Sequence, residues 1–175
     1  DIPNTELAAI YHFTRGDVSA FRKLNNQLRR GWVDEFNQAF ADRMGRGLEK
    51  IEPVTATTYR TIRLNKTRLN EWIATAKKGG TRLFEGFTST SFERSVIENM
   101  AAKHTGRKKS ETDIILIIRG KTGHPIEDIS QFGTRNNGKP NQREVLFTSG
   151  RKFRILSHRK LQNDTHGYEF ELEEI

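Results

Sequence analysis

The stretch Pro140-Asn-Gln-Arg-Glu-Val-Leu-Phe147 sets a primary amide, Gln142, two residues before a carboxylate, Glu144, and then runs into three apolar residues. On an extended strand, side chains two apart share a face, so Gln142 and Glu144 are expected to project side by side. Upstream, Asp128-Ile-Ser-Gln-Phe-Gly-Thr-Arg-Asn-Asn-Gly-Lys139 is rich in turn residues and nearly free of apolar ones. A long polar loop feeding such a strand marks the loop–strand junction as a candidate site, because loops on rigid scaffolds commonly carry function. Taken alone, the stretch is better read as an ordinary strand with polar residues on its solvent face.

Downstream, residues 143–148 and 151–157 read as a hairpin across Ser149-Gly150. A last strand alternates Tyr168, Phe170 and Leu172 with Glu169, Glu171 and Glu173. Upstream, the continuous apolar run Ile114–Ile118 suits a strand buried on both faces, with Gly120 to Pro125 turning the chain. Val54–Leu64 is β-branched and strand-like, as is Leu83–Phe92. The first half reads as helical. One helix carries Leu7, Ile10 and Tyr11 and ends near Gly16. A second is capped by Asp17, with Val18, Phe21, Leu24 and Leu28 on one face, and stops at Gly31. A third carries the core stripe Val33, Phe36, Phe40 and Met44 and ends around Gly45–Gly47. Two shorter helices bury Leu69, Trp72, Ile73 and Ala76, and Val96, Ile97, Met100 and Ala101, the latter with Ser91 as a candidate cap. Helices first and strands later predict an α+β fold, not a doubly wound sheet.

The 175 residues suit one domain with a proper core, which eleven Phe and two Trp help to fill. Because the chain begins at Asp1, it is expected to be a single domain over 1–175 cut from a longer polypeptide. A formal charge of +8, with basic pairs such as Arg29-Arg30, Lys77-Lys78 and Arg151-Lys152, favours anionic partners. There is no cysteine, which excludes disulfides and thiolate metal sites. His12, His104, His124, His158 and His166 show no ligand spacing, so no metal is expected. No run of about 18 apolar residues spans a membrane, and no signal peptide is visible.

Three strand-borne clusters carry polar groups that a purely structural strand does not need: Tyr59-Arg60, Ser89-Thr90-Ser91, and Gln142-x-Glu144. With that arginine, serine and glutamate in this chain order, the sequence resembles the Arg–Ser–Glu clade of mono-ADP-ribosyltransferases. The clade includes the clostridial Rho-inactivating exoenzymes and the binary actin-modifying toxins. Tyr59-Arg60 is similar to the family's aromatic–Arg pair, Phe87-Thr-Ser-Thr-Ser91 to its Phe-x-Ser-Thr-Ser motif, and Gln142-Arg-Glu144-Val-Leu-Phe147 to its Gln/Glu-x-Glu strand. Asp128 to Pro140 falls where the family keeps its acceptor-recognition loop, and Ile10-Tyr-His-Phe-Thr14 resembles its N-terminal helices.

The resemblance implies a helical N-terminal part and a split β-sandwich of two packed sheets with the NAD cleft between them. It also implies roles. Arg60 holds the NAD pyrophosphate with a permanently charged donor fork. Glu144 stabilises the oxocarbenium-like ribose that forms as nicotinamide leaves. Ser89 holds that carboxylate, Thr90 and Ser91 support the strand and its turn, and Gln142 orients the acceptor nucleophile. Phe132 in the loop reads either as an exposed aromatic for acceptor recognition or as a loop anchor. NAD is consumed as a substrate, and no metal or further cofactor is implied. Two departures from the family pattern stand out. Thr61 replaces the glycine that often follows the core arginine, at the point where backbone holds the nicotinamide amide. Gln142 replaces the Glu that accompanies arginine acceptors, which points instead to Asn, Gln, Thr or a nucleic-acid group. The implied protein is a toxin or effector, secreted or delivered into a target cell to act in its cytoplasm, with a macromolecular acceptor and a neutralising immunity protein as partners. The net charge keeps RNA or DNA open as the acceptor. A non-enzymatic basic binding module is the remaining alternative, disfavoured by the intact arginine, serine and glutamate.

Overall fold

In the computed structural model, which describes residues 1–15, 19–103, 108–134, 138, 140–162 and 166–175, three helices come first. They are α1 (Asn4–Thr14), α2 (Ala20–Arg30) and α3 (Glu35–Glu49). There follow β1 (Val54–Asn65), α4 (Lys66–Lys77), β2 (Thr81–Phe84), β3 (Thr88–Ser91) and α5 (Arg94–Ala102). The chain ends with β4 (Glu111–Pro125), β5 (Glu144–Phe147), β6 (Arg151–Lys160) and β7 (Tyr168–Glu174). Three helices lead, α4 and α5 fall among the first strands, and the chain ends all-β, an arrangement that suits α+β. The chain divides into two units. One comprises Asp1–Val54, Phe84–Ser89 and Thr122–Arg151; the other comprises Thr55–Leu83, Thr90–Lys121 and Lys152–Ile175.

The first unit is built on α1–α3, whose Ile10, Phe13, Leu24, Phe40, Met44 and Leu48 form one core with Phe87, Ile126 and Leu146. The inner face of α1 is Glu6, Ala9, Ile10 and Phe13, while Tyr11, read at helical spacing with Leu7 and Ile10, is exposed. A buried carboxylate hid that face from the apolar pattern. Glu6 accepts from Lys50 Nζ at 2.6 Å and Arg46 Nε at 3.4 Å, and the Lys50 hydrogen bond, foremost, holds its carboxyl below the ordinary range. Gly31 ends α2 in the left-handed region at φ 69, as expected. The candidate cap Asp17, with Gly16 and Val18, lies outside the described residues.

Asp34 caps α3, its Oδ1 accepting from Asn37 N at 2.7 Å and its Oδ2 from Gln27 Nε2 at 2.7 Å. The third helix does not stop at Gly45–Gly47. A Cβ on Gly47 would lie 2.9 Å from Ile10 Cδ1, so this glycine admits α1, and close packing outweighs its helix penalty of about 1 kcal/mol. Because Asn37, Phe40, Ala41, Met44 and Leu48 set the inner face, Phe36 is 76% exposed instead of joining the core stripe.

Also in this unit, β5 lies between the start of β3 and the end of β4. β4 and β5 run antiparallel, His124 opposite Leu146 and Pro125 opposite Val145. The expected turn at Gly120–Pro125 is therefore strand. A Cβ on Gly123 would fall 2.6 Å from Val145 Cγ1, so that glycine makes room for β5 and does not bend the chain.

In the second unit β1 neighbours both the end of β3, with Tyr59 opposite Ser91, and β4. β4 runs parallel to β7, and β7 antiparallel to β6, with Ile155 opposite Leu172. Ile114, Ile115, Leu116 and Ile118 are fully buried, as their unbroken apolar run predicts. Trp72 of α4 meets Phe170 edge-on, their rings 5.3 Å apart.

Two strand expectations are corrected. The run 83–92 breaks at 85–87 into β2 and β3, which take different neighbours: β6 for the former, β1 and β5 for the latter. The hairpin across Ser149-Gly150 does not form. β5 pairs with β3 and β4, whereas β6 takes the alternating strand β7 and β2. Gly150, at φ 80, turns its N–H to Phe84 O at 2.8 Å and so diverts the chain.

Candidate active site

Glu144 opens β5 and is buried, at 7% exposure. Its carbonyl accepts from Ile126 N at 3.0 Å, which fixes the backbone. Its carboxylate is held on both oxygens: Ser89 Oγ donates to Oε1 at 2.6 Å and Ser130 Oγ donates to Oε2 at 2.7 Å. A hydroxyl on each oxygen sets the plane of the carboxylate as well as its position. Ser89 is carried on β3, whose entry is pinned by Asn25. That amide donates to Phe87 O and accepts from Phe87 N, both at 2.9 Å, and anchors a core phenylalanine two residues from the serine.

Gln142 does not stand beside Glu144 on a strand. β5 begins at Glu144, and Arg143 adopts φ 47, so the two-residue alternation stops short of Gln142. Local bonds hold Arg143 in that left-handed conformation. Its N–H reaches Asn141 Oδ1 at 2.8 Å and its guanidinium lies 3.5 Å from Glu127, to which Asn141 also donates at 2.9 Å. Gln142 is instead tied to the loop, its N–H donating to Phe132 O at 2.8 Å. Phe132 is half-buried, and its own N–H reaches Ser130 Oγ at 3.2 Å. The loop is anchored to α1 through Gln131 N and Thr14 Oγ1 at 3.0 Å. Residues 135–137 and 139 of the expected acceptor loop lie outside the described residues.

The other candidates belong to the second unit. Arg60 and Thr61 sit mid-way along β1, both half-buried, Arg60 next to the Tyr59–Ser91 pair. Thr61, in the place of the family's glycine, turns its hydroxyl to His166 Nε2 at 3.2 Å. His166 is 2% exposed, and burial holds its imidazole below the ordinary histidine range against the opposing pull of Asp113. Thr90 and Ser91 are buried. Ser91 Oγ accepts from Glu93 N at 3.0 Å, a turn leading into α5, whose cap position is Glu93 itself. Among the described residues no cluster of three or more His, Cys, Asp or Glu side chains is placed to hold a metal ion.

The structure thus brings Ser89, Glu144, Phe132 and Gln142 into one unit, and adds Ser130, which the sequence reading passed over. Its signal was present but faint: Ile126 and Ile129 are apolar residues at the start of the loop, and a serine straight after them is carried into the core edge. Ile126 is in fact buried, and Ser130 is 4% exposed.

Comparison with known proteins bears on the family and the fold. The family model described as "ART: NAD:arginine ADP-ribosyltransferase" matches residues 4–174. A curated relative, the putative NAD(+)–arginine ADP-ribosyltransferase Mav of Mycobacterium avium (strain 104), is 26% identical over 156 residues. That match takes in 89% of this chain but 16% of the relative, so the chain spans about a sixth of that protein's length. Among solved structures, the ADP-ribosyltransferase Vis in complex with agmatine superposes with a TM-score of 0.75 at 20% identity, covering 99% of this chain and 75% of that one; Vis is a toxin from Vibrio splendidus. The C3 exoenzyme of Clostridium limosum gives 0.70 at 18% identity, over 100% of this chain and 87% of that one. The two superpositions show the fold, and the family model covers nearly every residue. With the α+β ADP-ribosyltransferase fold and the NAD-using family on the same footing, the chain belongs to the NAD:arginine ADP-ribosyltransferase family.

Proposed function

We propose that residues 1–175 act as one mono-ADP-ribosyltransferase domain of a toxin or effector, moving ADP-ribose from NAD to a macromolecular acceptor and releasing nicotinamide. The observation that supports this most is the buried Glu144 carboxylate with the Ser89 hydroxyl 2.6 Å from it, in a chain of this family. In the proposed reaction the bond from the ribose anomeric carbon to the nicotinamide nitrogen breaks, and its electron pair neutralises the pyridinium. Positive charge spreads over the ribose, where a fixed carboxylate in a dry site stabilises it far more than water does. The acceptor then bonds to the same carbon and loses a proton. Arg60 is assigned to the pyrophosphate, Glu144 to the ribose, Ser89 to the carboxylate, and Thr61, Thr90 and Ser91 to the walls of the NAD site.

For the acceptor we infer a protein amide or hydroxyl side chain, Asn, Gln or Thr, because the Gln142 amide cannot take a proton from a guanidinium. Arginine is the second reading, favoured by the family's name and by the agmatine bound to Vis. Delivery from a producing cell into a target cell, and pairing with a neutralising protein, follow by analogy with toxin relatives. The test supplies labelled NAD with a cell lysate or with agmatine, comparing wild type with Glu144→Gln. A protease-sensitive labelled band without labelled agmatine supports the amide or hydroxyl acceptor. Labelled agmatine supports arginine. Label removed by nuclease transfers the assignment to RNA or DNA. No label and no nicotinamide release from folded protein leaves only a binding module.

A further inference from the structure

Ser130 belongs to none of the three motifs that define the site, yet it touches the central carboxylate as closely as Ser89 does: 2.7 Å to Oε2 against 2.6 Å to Oε1. A serine hydroxyl has a single proton, and here it is committed to Glu144. The oxygen's lone pairs face the other way and accept from Phe132 N at 3.2 Å. The peptide of Phe132 is held at its other end as well, its carbonyl accepting from Gln142 N at 2.8 Å. One hydrogen-bond chain therefore runs from the loop backbone at Phe132 through the Ser130 hydroxyl to Oε2 of Glu144. Each donor in such a chain polarises the next, and burial strengthens it further. The serine itself is placed firmly: its N–H donates to Ile126 O at 2.8 Å, and Ile126 N donates to the carbonyl of Glu144 at 3.0 Å. Backbone and side chain of Glu144 are thus both gripped by residues 126–130.

We propose that Ser130 is a positioning residue for the transfer reaction, its hydroxyl coupling the loop segment that carries Phe132 to the carboxylate of Glu144. The carboxylate is aligned for the ribose only while that segment is seated. An acceptor that presses on Phe132 is thereby felt at the reacting centre two hydrogen bonds away, and one that presses on Gln142 three away. This rests on the enzymatic reading above. The plainer role for Ser130, closing a serine turn over Phe132 N, accounts for the 3.2 Å contact but not for the shorter one to the carboxylate.

The experiment compares wild type with Ser130→Ala, Ser130→Thr and Ser130→Cys, measuring nicotinamide release from NAD without acceptor, NAD Kd by calorimetry, and fold by circular dichroism. Losing a hydrogen bond to a charged group is expected to lower kcat of Ser130→Ala by about 10- to 100-fold. The NAD Kd should stay within about twofold, because the loss falls on the transition state and not on binding, and Ser130→Thr should recover most of the rate. A turn-only role would lower stability and leave kcat per folded molecule unchanged, which overturns the proposal. So does a rate loss matched by an equal loss of NAD affinity. Should the alanine variant fail to fold, Ser130→Cys decides, since a thiol keeps the volume but donates weakly: a wild-type kcat overturns the proposal and a reduced one supports it. A wild-type protein that releases no nicotinamide overturns the enzymatic reading itself, and this one with it.

Discussion

At Glu144 the charge, not the shape, is what the reaction is proposed to need. Glu144→Gln keeps the size and can still bond to Ser89 and Ser130, both of which rotate to accept as readily as they donate. The expected result is an unchanged circular dichroism spectrum and NAD Kd, with nicotinamide release down by about 100- to 1,000-fold or more. A collapsed fold would make Glu144 structural. Gln142 is a different case, because Arg143 at φ 47 and the 2.8 Å bond from Gln142 N to Phe132 O hang it from the loop and not from β5. A change there should reach the acceptor before it reaches NAD. Gln142→Glu is expected to lower labelling of the natural acceptor while nicotinamide release into water stays within about threefold, since a residue acting only on the acceptor makes no contact in the hydrolytic transition state. Equal loss of both activities would count against an acceptor-facing role. The same substitution is expected to raise labelling of agmatine, because it supplies the second carboxylate that a guanidinium can bind.

At the scale of elements, and among the described residues, the stretch from Ile126 to Thr134 carries the sharpest steric constraint. A Cβ on Gly133 would fall 1.7 Å from the carbonyl oxygen of Glu127, and that oxygen also accepts from Thr134 N at 2.9 Å. Backbone cannot yield as a side-chain tip does. Gly133→Ala must open the turn, at about 1–3 kcal/mol of stability by urea denaturation. Transfer to a macromolecule should fall at least as far as nicotinamide release; a variant as stable and active as wild type would refute the tight closure. No sequence pattern announces this glycine, and that separates what could be read in advance from what could not. The helices, β1, β4 and β7 declare themselves through periodicity and β-branched runs, and Ser89 and Glu144 stand out as candidates through motifs that resemble the family's. Gly47 and Gly123 read as a helix stop and a turn because a glycine's two uses, freeing the backbone and admitting a neighbour, look alike in sequence. Likewise nothing in Gln-Arg-Glu signals that a non-glycine residue will take a positive φ and break the alternation. That outcome is set by Asn141 and Glu127, which are neighbours only in the fold.

For the molecule as a whole, a formal charge of +8 means that acid adds to an existing repulsion, and the pH windows in which stability changes reveal which groups bind protons differently in the folded and unfolded states. Two windows are separable. Glu6 has its carboxyl lowered, first by the Lys50 hydrogen bond, so its contribution is complete above the ordinary Glu value of about 4.3 and is lost only as pH falls through the lowered one. His166 acts earlier. Burial lowers its imidazole, while Asp113 and Glu98 raise it and Arg94 lowers it, with the Thr61 hydroxyl 3.2 Å from Nε2. In the unfolded chain His166 takes up a proton near pH 6.5, and in the folded chain only at lower pH. Between those values the unfolded state binds more protons, so stability is complete above about 6.5 and declines as pH falls toward the folded value. Urea titrations followed by the buried Trp72 should therefore show wild-type stability falling between about pH 7 and 5.5, with a shallower slope in His166→Gln, whose amide still offers a partner to Thr61 and cannot charge. Identical slopes would place the charge change elsewhere. A wild type that gains stability over that range would mean that Asp113 and Glu98 outweigh burial and hold the imidazole charged behind the strand that carries Arg60.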